Sequence, residues 1–218
     1  MPFFNFLSKS TFWSLWAFVT SISSIVGFSL GYLISDYLIP DRYFANHHLQ
    51  TPFLFIIITI VGLIIGFGQW TLLRATLEKS WKWIPATTIG LPLGLFIGFI
   101  VVNILLIFID LQNTWIVYFI TAGIAGAFIG TLQGFALYAK LQGLVTWILV
   151  SALGWGFGFA IISFASETFL SHVNSWYISY PFDGITIGIM VGLFTGAFIE
   201  STLVDQRVNK PISTKNAS

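Results

Sequence analysis

Long uncharged apolar runs, separated by short polar segments, set the plan of this chain. They fall at about residues 11–38, 52–73, 85–109, 115–139, 144–166 and 184–204. Each reaches the roughly 20 apolar residues that a membrane-crossing helix needs. Barrel strands would alternate polar and apolar positions every second residue, and these runs are apolar throughout. The pattern predicts an all-α polytopic bundle of six transmembrane helices, one domain over residues 1–204, with a polar tail at 205–218. The first run is too long for the apolar core of a signal peptide and no clear A-x-A site follows it, so it is read as a retained span.

Composition narrows the class further. Hydrophobic residues make up 56% of the 218 and charged residues 8%, with mean hydropathy +0.89. A soluble domain carries about 25% charge, so a soluble fold, a coiled coil and a disordered chain are all excluded. A formal net charge of +1 gives no field for nucleic acid. With no Cys, there are no disulfides, thiolate metal sites or Cys nucleophiles.

The basic residues orient the bundle. Lys9, Arg74, Lys79, Lys82, Lys140, Arg207, Lys210 and Lys215 fall on one side, and Arg42 alone on the other. The positive-inside rule then puts both termini in the cytoplasm. The outer connections carry Asp36, Asp41, Asp110, Glu167 and Asp183, together with His47, His48 and His172.

A repeat runs through the middle of the chain at an offset of 64 residues, over about 62–98 and 126–162. Gly62, Gly66, Gln69, Leu73, Trp83, Ile84, Gly90 and Gly94 recur as Gly126, Gly130, Gln133, Leu137, Trp147, Ile148, Gly154 and Gly158. The unit is a two-helix hairpin. Trp16, Gly27 and Gly31 in the first span keep the spacing of Trp83, Gly94 and Gly98, and the sixth span has Gly184, Gly188, Gly192 and Gly196. First and sixth spans thus read as the split halves of a third hairpin, giving a pseudo-three-fold bundle about the membrane normal. Glycines four apart line one helix face, and lipid-embedded helices pack through such small residues. The alternative is that the bare backbone lines a cleft.

The stretch Gly66-Phe-Gly-Gln69-Trp70-Thr-Leu-Leu73-Arg74, with Trp83, Ile84 and Gly90 after it, resembles a group of small, uncharacterised bacterial membrane proteins common in cyanobacteria. Their pattern is G-x-x-Q-W-x-x-L-R, then W and G on the returning helix. The resemblance covers about residues 62–158, and the second copy departs from it with Gly134 for Trp and Tyr138 for Arg. It implies a multispanning repeat architecture and no activity.

Candidate chemistry is sparse. Gln69, Gln133 and Glu200 lie near the inner ends of their helices and are the candidates for an inner polar ring, either as interhelical hydrogen bonds or as part of a solute pathway. Asn103 reads as an interhelical hydrogen bond. Trp16, Trp83 and Trp147 read as an aromatic belt at the membrane interface. His47-His48 is a weak ligand spacing. There is no G-x-S-x-G, H-E-x-x-H or Walker A sequence, and no catalytic, cofactor or metal residue is assigned.

These features predict a non-enzymatic protein of the bacterial inner (plasma) membrane, or of the thylakoid membrane where one exists. Its partners are lipid and other membrane proteins or further copies of itself. The favoured function is a scaffold or accessory subunit that docks partners through its glycine faces. The alternative is a small-solute or ion channel or transporter, or a membrane-embedded substrate-binding subunit.

Overall fold

The computed structural model describes residues 9–38, 47–75, 77, 79–109, 113–136, 143–168 and 176–208. Among them every regular element is helical. The long helices are α1 (Lys9–Leu33), α2 (His47–Leu73), α3 (Trp83–Phe108), α4 (Thr114–Ala136), α5 (Leu144–Thr168) and α6 (Trp176–Val208). A π-helical turn, Ile34–Leu38, finishes α1, and a 3-10 turn, Ser80–Lys82, leads into α3. Among the described residues six helices are long and apolar enough to cross a membrane, and the chain is a multi-pass membrane protein.

The expected spans match these helices closely at α2, α3 and α5. Helix α6 differs: it begins at Trp176, ahead of the expected Gly184, so Asp183 lies within a helix and not in a loop. A span read by stopping at every charge loses the turns before a carboxylate. A helix end in polar surroundings keeps them, because its backbone hydrogen bonds do not depend on the side chain.

The six helices close into a ring in which each packs on the next, and α6 packs on α1. The glycines explain why the ring closes. Most of those on each helix face the following one, while Gly68 and Gly156 face the preceding one. A Cβ on Gly66 of α2 would sit 3.0 Å from Thr87 Cβ of α3. One on Gly94 of α3 would sit 2.9 Å from Ala125 Cα of α4. On Gly130 of α4 it would meet Ser151 Cβ of α5 at 3.0 Å, and on Gly154 of α5 it would meet Val191 Cα of α6 at 3.0 Å. On Gly192 of α6 it would lie 2.6 Å from Ala17 Cα of α1, and on Gly31 of α1 it would lie 2.9 Å from Ile57 of α2. Apolar surface gives helices no reason to associate in lipid, so contact area gained by close backbone approach holds them together. Large side chains such as Phe18, Phe67, Phe99, Ile107, Phe108 and Phe164 point outward and are exposed, as lipid contact allows.

The two ends of the ring differ in charge. Arg74, Lys79 and Lys82 lie between α2 and α3 at the basic end. Glu167 and Asp183, near the ends of α5 and α6 that face each other in sequence, mark the acidic end. Arg74 stacks over Trp70 with its guanidinium 5.2 Å from the ring centroid. The second repeat copy, with Gly134 and Tyr138 in their places, therefore lacks both members of one contacting pair.

Candidate binding cup and its closed floor

The interior is layered along the ring axis. At the basic end three indoles meet. Trp83 lies 6.0 Å from Trp16 and 5.5 Å from Trp147, ring centroid to centroid. All three are at most 1% exposed, and Phe12, Leu72, Leu73, Leu77 and Ile199 pack around them. These tryptophans are thus not the interfacial belt expected of them. They lie on the inward-facing sides of α1, α3 and α5, in the bundle core, where they fill the axis.

A polar layer lies next to the indoles. Trp83 Nε1 donates to Gln69 Oε1 at 2.8 Å, and Trp16 Nε1 donates to Thr195 Oγ1 at 2.9 Å. Gln69 Nε2 donates across to Thr20 Oγ1 over a long 3.4 Å, and Gln133 Nε2 donates to Thr87 Oγ1 at 2.8 Å. Thr87 and Thr195 pass their own protons to backbone carbonyls one turn back, those of Trp83 and Val191. Trp147 Nε1 is buried with no hydrogen-bond partner among the described residues. Gln69, Gln133 and Thr195, with Thr20, Thr87 and Ser151, are all buried. A cavity of about 10 Å³ lies among them, at the lower limit for one water.

Gln69 and Gln133 thus share one layer, and α6 contributes Thr195 to it. The side chain of Glu200 lies outside the described residues. The signal for Thr195 was present in the sequence: Gly188, Gly192 and Thr195 keep the spacing of Gly126, Gly130 and Gln133. So was that for the hydroxyls, since Trp16, Trp83 and Trp147 are each followed four residues later by Thr20, Thr87 or Ser151.

Above the polar layer Val61, Ile65, Leu91, Ile129, Trp155, Ile187 and Val191 form a second apolar plug. Beyond it the acidic half of the bundle opens into two lobes that share Phe28, Tyr32 and Phe159. The apolar lobe, about 220 Å³, lies among α1, α2 and α3 and is lined further by Ile57, Leu91 and Leu95. The polar lobe, about 360 Å³, lies among α1, α4, α5 and α6 and carries Tyr118, Ser163, Glu167 and Asp183. Phe28 and Phe159 meet edge to face at 6.5 Å, and Tyr32 stacks flat on Tyr180 at 3.5 Å, tying α1 to α6 at this end. Ser163 is 7% exposed, and its Oγ has no hydrogen-bond partner among the described residues. Asp183 is half-buried, and Glu167 is exposed at the rim.

Sequence reasoning counted Glu167 and Asp183 only as outer-loop charges and missed the lobes. Helix crossing, not sequence spacing, brings α1, α5 and α6 together there. Asn103 also differs from its expected role. It is exposed, and its Nδ2 donates to Phe99 O of its own helix at 2.7 Å, so it ties no helices together. An amide that can satisfy itself one turn back needs no neighbour. The expected glycine positions all face neighbouring helices of the same chain. Among the described residues no group of three His, Cys, Asp or Glu is placed to hold a metal ion. Arg42, Asp41, Asp110, Lys140, Lys210, Lys215 and His172 lie outside the described residues.

No protein-family profile matches the chain, and no curated protein or solved structure shows significant similarity to it.

Proposed function

We propose that this chain is a membrane-embedded solute-binding protein of the bacterial inner membrane, with both termini cytoplasmic. It receives a small molecule from the outside into a cup closed on the cytoplasmic side. The observation that carries this reading is the asymmetry of the interior. The acidic half holds two adjoining lobes of about 220 and 360 Å³, the larger within the size range of small-molecule sites, and the basic half is packed by three indoles. Three copies of one hairpin, α2–α3, α4–α5 and α6–α1, would account for the repeated glycines and for the Trp–Gln/Thr pairing found in two of them, Trp83 with Gln69 and Trp16 with Thr195. In this reading the polar layer is a structural clamp that locks the closed floor. Solute would cross only if a partner subunit forced that floor apart.

The scaffold reading loses its proposed docking surface, because the glycine faces are occupied by packing within the chain. It is the outcome to accept if the cup proves inaccessible.

The absence of cysteine makes the test clean, since each introduced thiol is unique. Ser166→Cys places a thiol at the rim of the polar lobe, and Thr195→Cys places one in the polar layer. In intact cells a membrane-impermeant maleimide is expected to label position 166 and not position 195. In inverted vesicles neither is expected to react. Labelling of position 166 from the cytoplasmic face overturns the orientation. No labelling of it from either face overturns the cup, and labelling of position 195 overturns the closed floor.

A further inference from the structure

The lobes have a chemistry that selects a ligand class, and this inference rests on the cup reading above. We infer that the cup accepts an amphiphilic ammonium ion: a protonated amine carrying a compact apolar or aromatic body.

Charge comes first. Asp183 and Glu167 line the polar lobe, and among the described residues neither lobe is lined by Lys, Arg or His. Among the described residues neither carboxylate has an ion-pair or hydrogen-bond partner. A half-buried carboxylate left without a counter-charge is costly, and a cation supplied by the ligand offsets that cost. An anionic ligand would meet two like charges and, among the described residues, no compensating group.

The walls point the same way. Phe28, Tyr32, Tyr118 and Phe159 set four aromatic rings around the polar lobe. The π-face of an aromatic ring attracts a cation, and more strongly where water is excluded. Aromatic rings would draw a neutral apolar molecule as well, so the carboxylates decide the sign.

Ser163 adds a hydrogen-bond requirement. It lies one helical turn below Glu167 on α5 and lines the lobe; its hydroxyl oxygen is covered and, among the described residues, unpartnered, so a turn of the side chain about χ1 is what would present it to a ligand. A buried polar atom without a partner is uncommon. A primary or secondary ammonium has N–H groups to donate to it, and a quaternary ammonium has none. The apolar lobe, walled by Ile57, Leu91, Leu95 and the shared Phe28 and Phe159, would take the body of the ligand. Phe28, Tyr32 and Phe159 line both lobes, so the two adjoin. Head and body are therefore specified by different helices: α5 and α6 hold the charge, and α1, α2 and α3 hold the ring.

The probes are phenethylammonium, benzyltrimethylammonium, neutral 3-phenylpropan-1-ol and anionic 3-phenylpropionate. Two readouts are used on the detergent-purified full chain: protection of Ser166→Cys from maleimide, and calorimetric binding to the otherwise unaltered protein. Phenethylammonium is expected to bind and protect, and the alcohol and the carboxylate are not. Asp183→Asn is expected to weaken phenethylammonium about tenfold or more, as loss of one member of a partly buried charge pair does. Glu167→Gln, at the exposed rim, weakens it by a smaller factor. Ser163→Ala is expected to cost phenethylammonium about 3- to 10-fold, the value of one hydrogen bond. It should leave benzyltrimethylammonium unchanged.

Binding of 3-phenylpropionate in place of the cation overturns the ligand class and leaves the cup standing. Equal binding of the alcohol and the ammonium, or indifference to both Asp183→Asn and Glu167→Gln, overturns it too. No calorimetric binding by any cation overturns it even where position 166 reacts from outside. A thiol at 166 that does not react at all counts against the cup itself. Cation binding that Asp183→Asn abolishes supports the ammonium site in either case.

Discussion

Trp83 and Gln69 stand on opposite legs of one hairpin, and the indole N–H of the first donates to the amide oxygen of the second at 2.8 Å. Both are buried, so the bond has no water to replace it. Gln69→Leu would strand the indole N–H in the core and is expected to cost about 1–2 kcal/mol. Trp83→Phe should cost less on the Gln69→Leu background than in the natural chain. A double-mutant cycle on unfolding in mixed micelles measures this; additive costs would mean the bond carries nothing.

The three indoles are alike in burial but not in bonding. Trp16 and Trp83 have acceptors, and Trp147 Nε1 has none. Replacement by Phe removes similar area at each, so the hydrogen bond should account for the difference. Trp147→Phe is expected to be milder than Trp83→Phe by about 1 kcal/mol. Equal thermal shifts for the two variants would contradict the assignment.

The α6–α1 seam leaves no room for a side chain at Gly188, where an added Cβ would overlap the backbone of Ser21. Gly188→Leu is expected to lose the monodisperse peak in size-exclusion chromatography. Overpacking of this kind costs about 1–3 kcal/mol or more, because neither backbone can retreat without opening the ring. Gly123→Ala is the matched control. Its nearest neighbour would be Ala152 O at 3.6 Å, an ordinary contact, and the variant should behave as the natural chain.

Asn103 faces outward and hydrogen-bonds within α3. Asn103→Leu should therefore stay within about 0.5 kcal/mol of the natural stability. A large loss, read by the same unfolding assay, would mean that the amide ties α3 to something outside the chain.

The membrane class and the six helices were legible because span length and charge scarcity follow directly from lipid as solvent. The inner polar layer was half legible. Gln69 and Gln133 stand out as polar residues in apolar runs, whereas Thr195 hides among ordinary hydroxyls until its glycine spacing is compared with theirs. The tryptophans were misplaced for a different reason. Depth along a helix can be counted from the sequence, but the face a residue turns toward lipid or toward its neighbours depends on how six helices are arranged. The lobes were not legible at all. Ser163, Asp183, Phe28 and Tyr118 come from four helices, and no spacing along the chain relates them.

The closure of the ring through α1 and α6 bears on biogenesis. Thr20, Ser21 and Ser24 of α1 are buried, and Gly184, Gly188 and Gly192 of α6 are the surface that approaches them most closely. During synthesis α1 leaves the ribosome well before α6 exists, so its hydroxyl-bearing face enters the bilayer without its cover. The earliest of the six helices to be made must wait for the last, and the bundle closes only when translation of α6 is done. Whatever shelters that face in the interval, lipid or an insertion chaperone, has to release it on time.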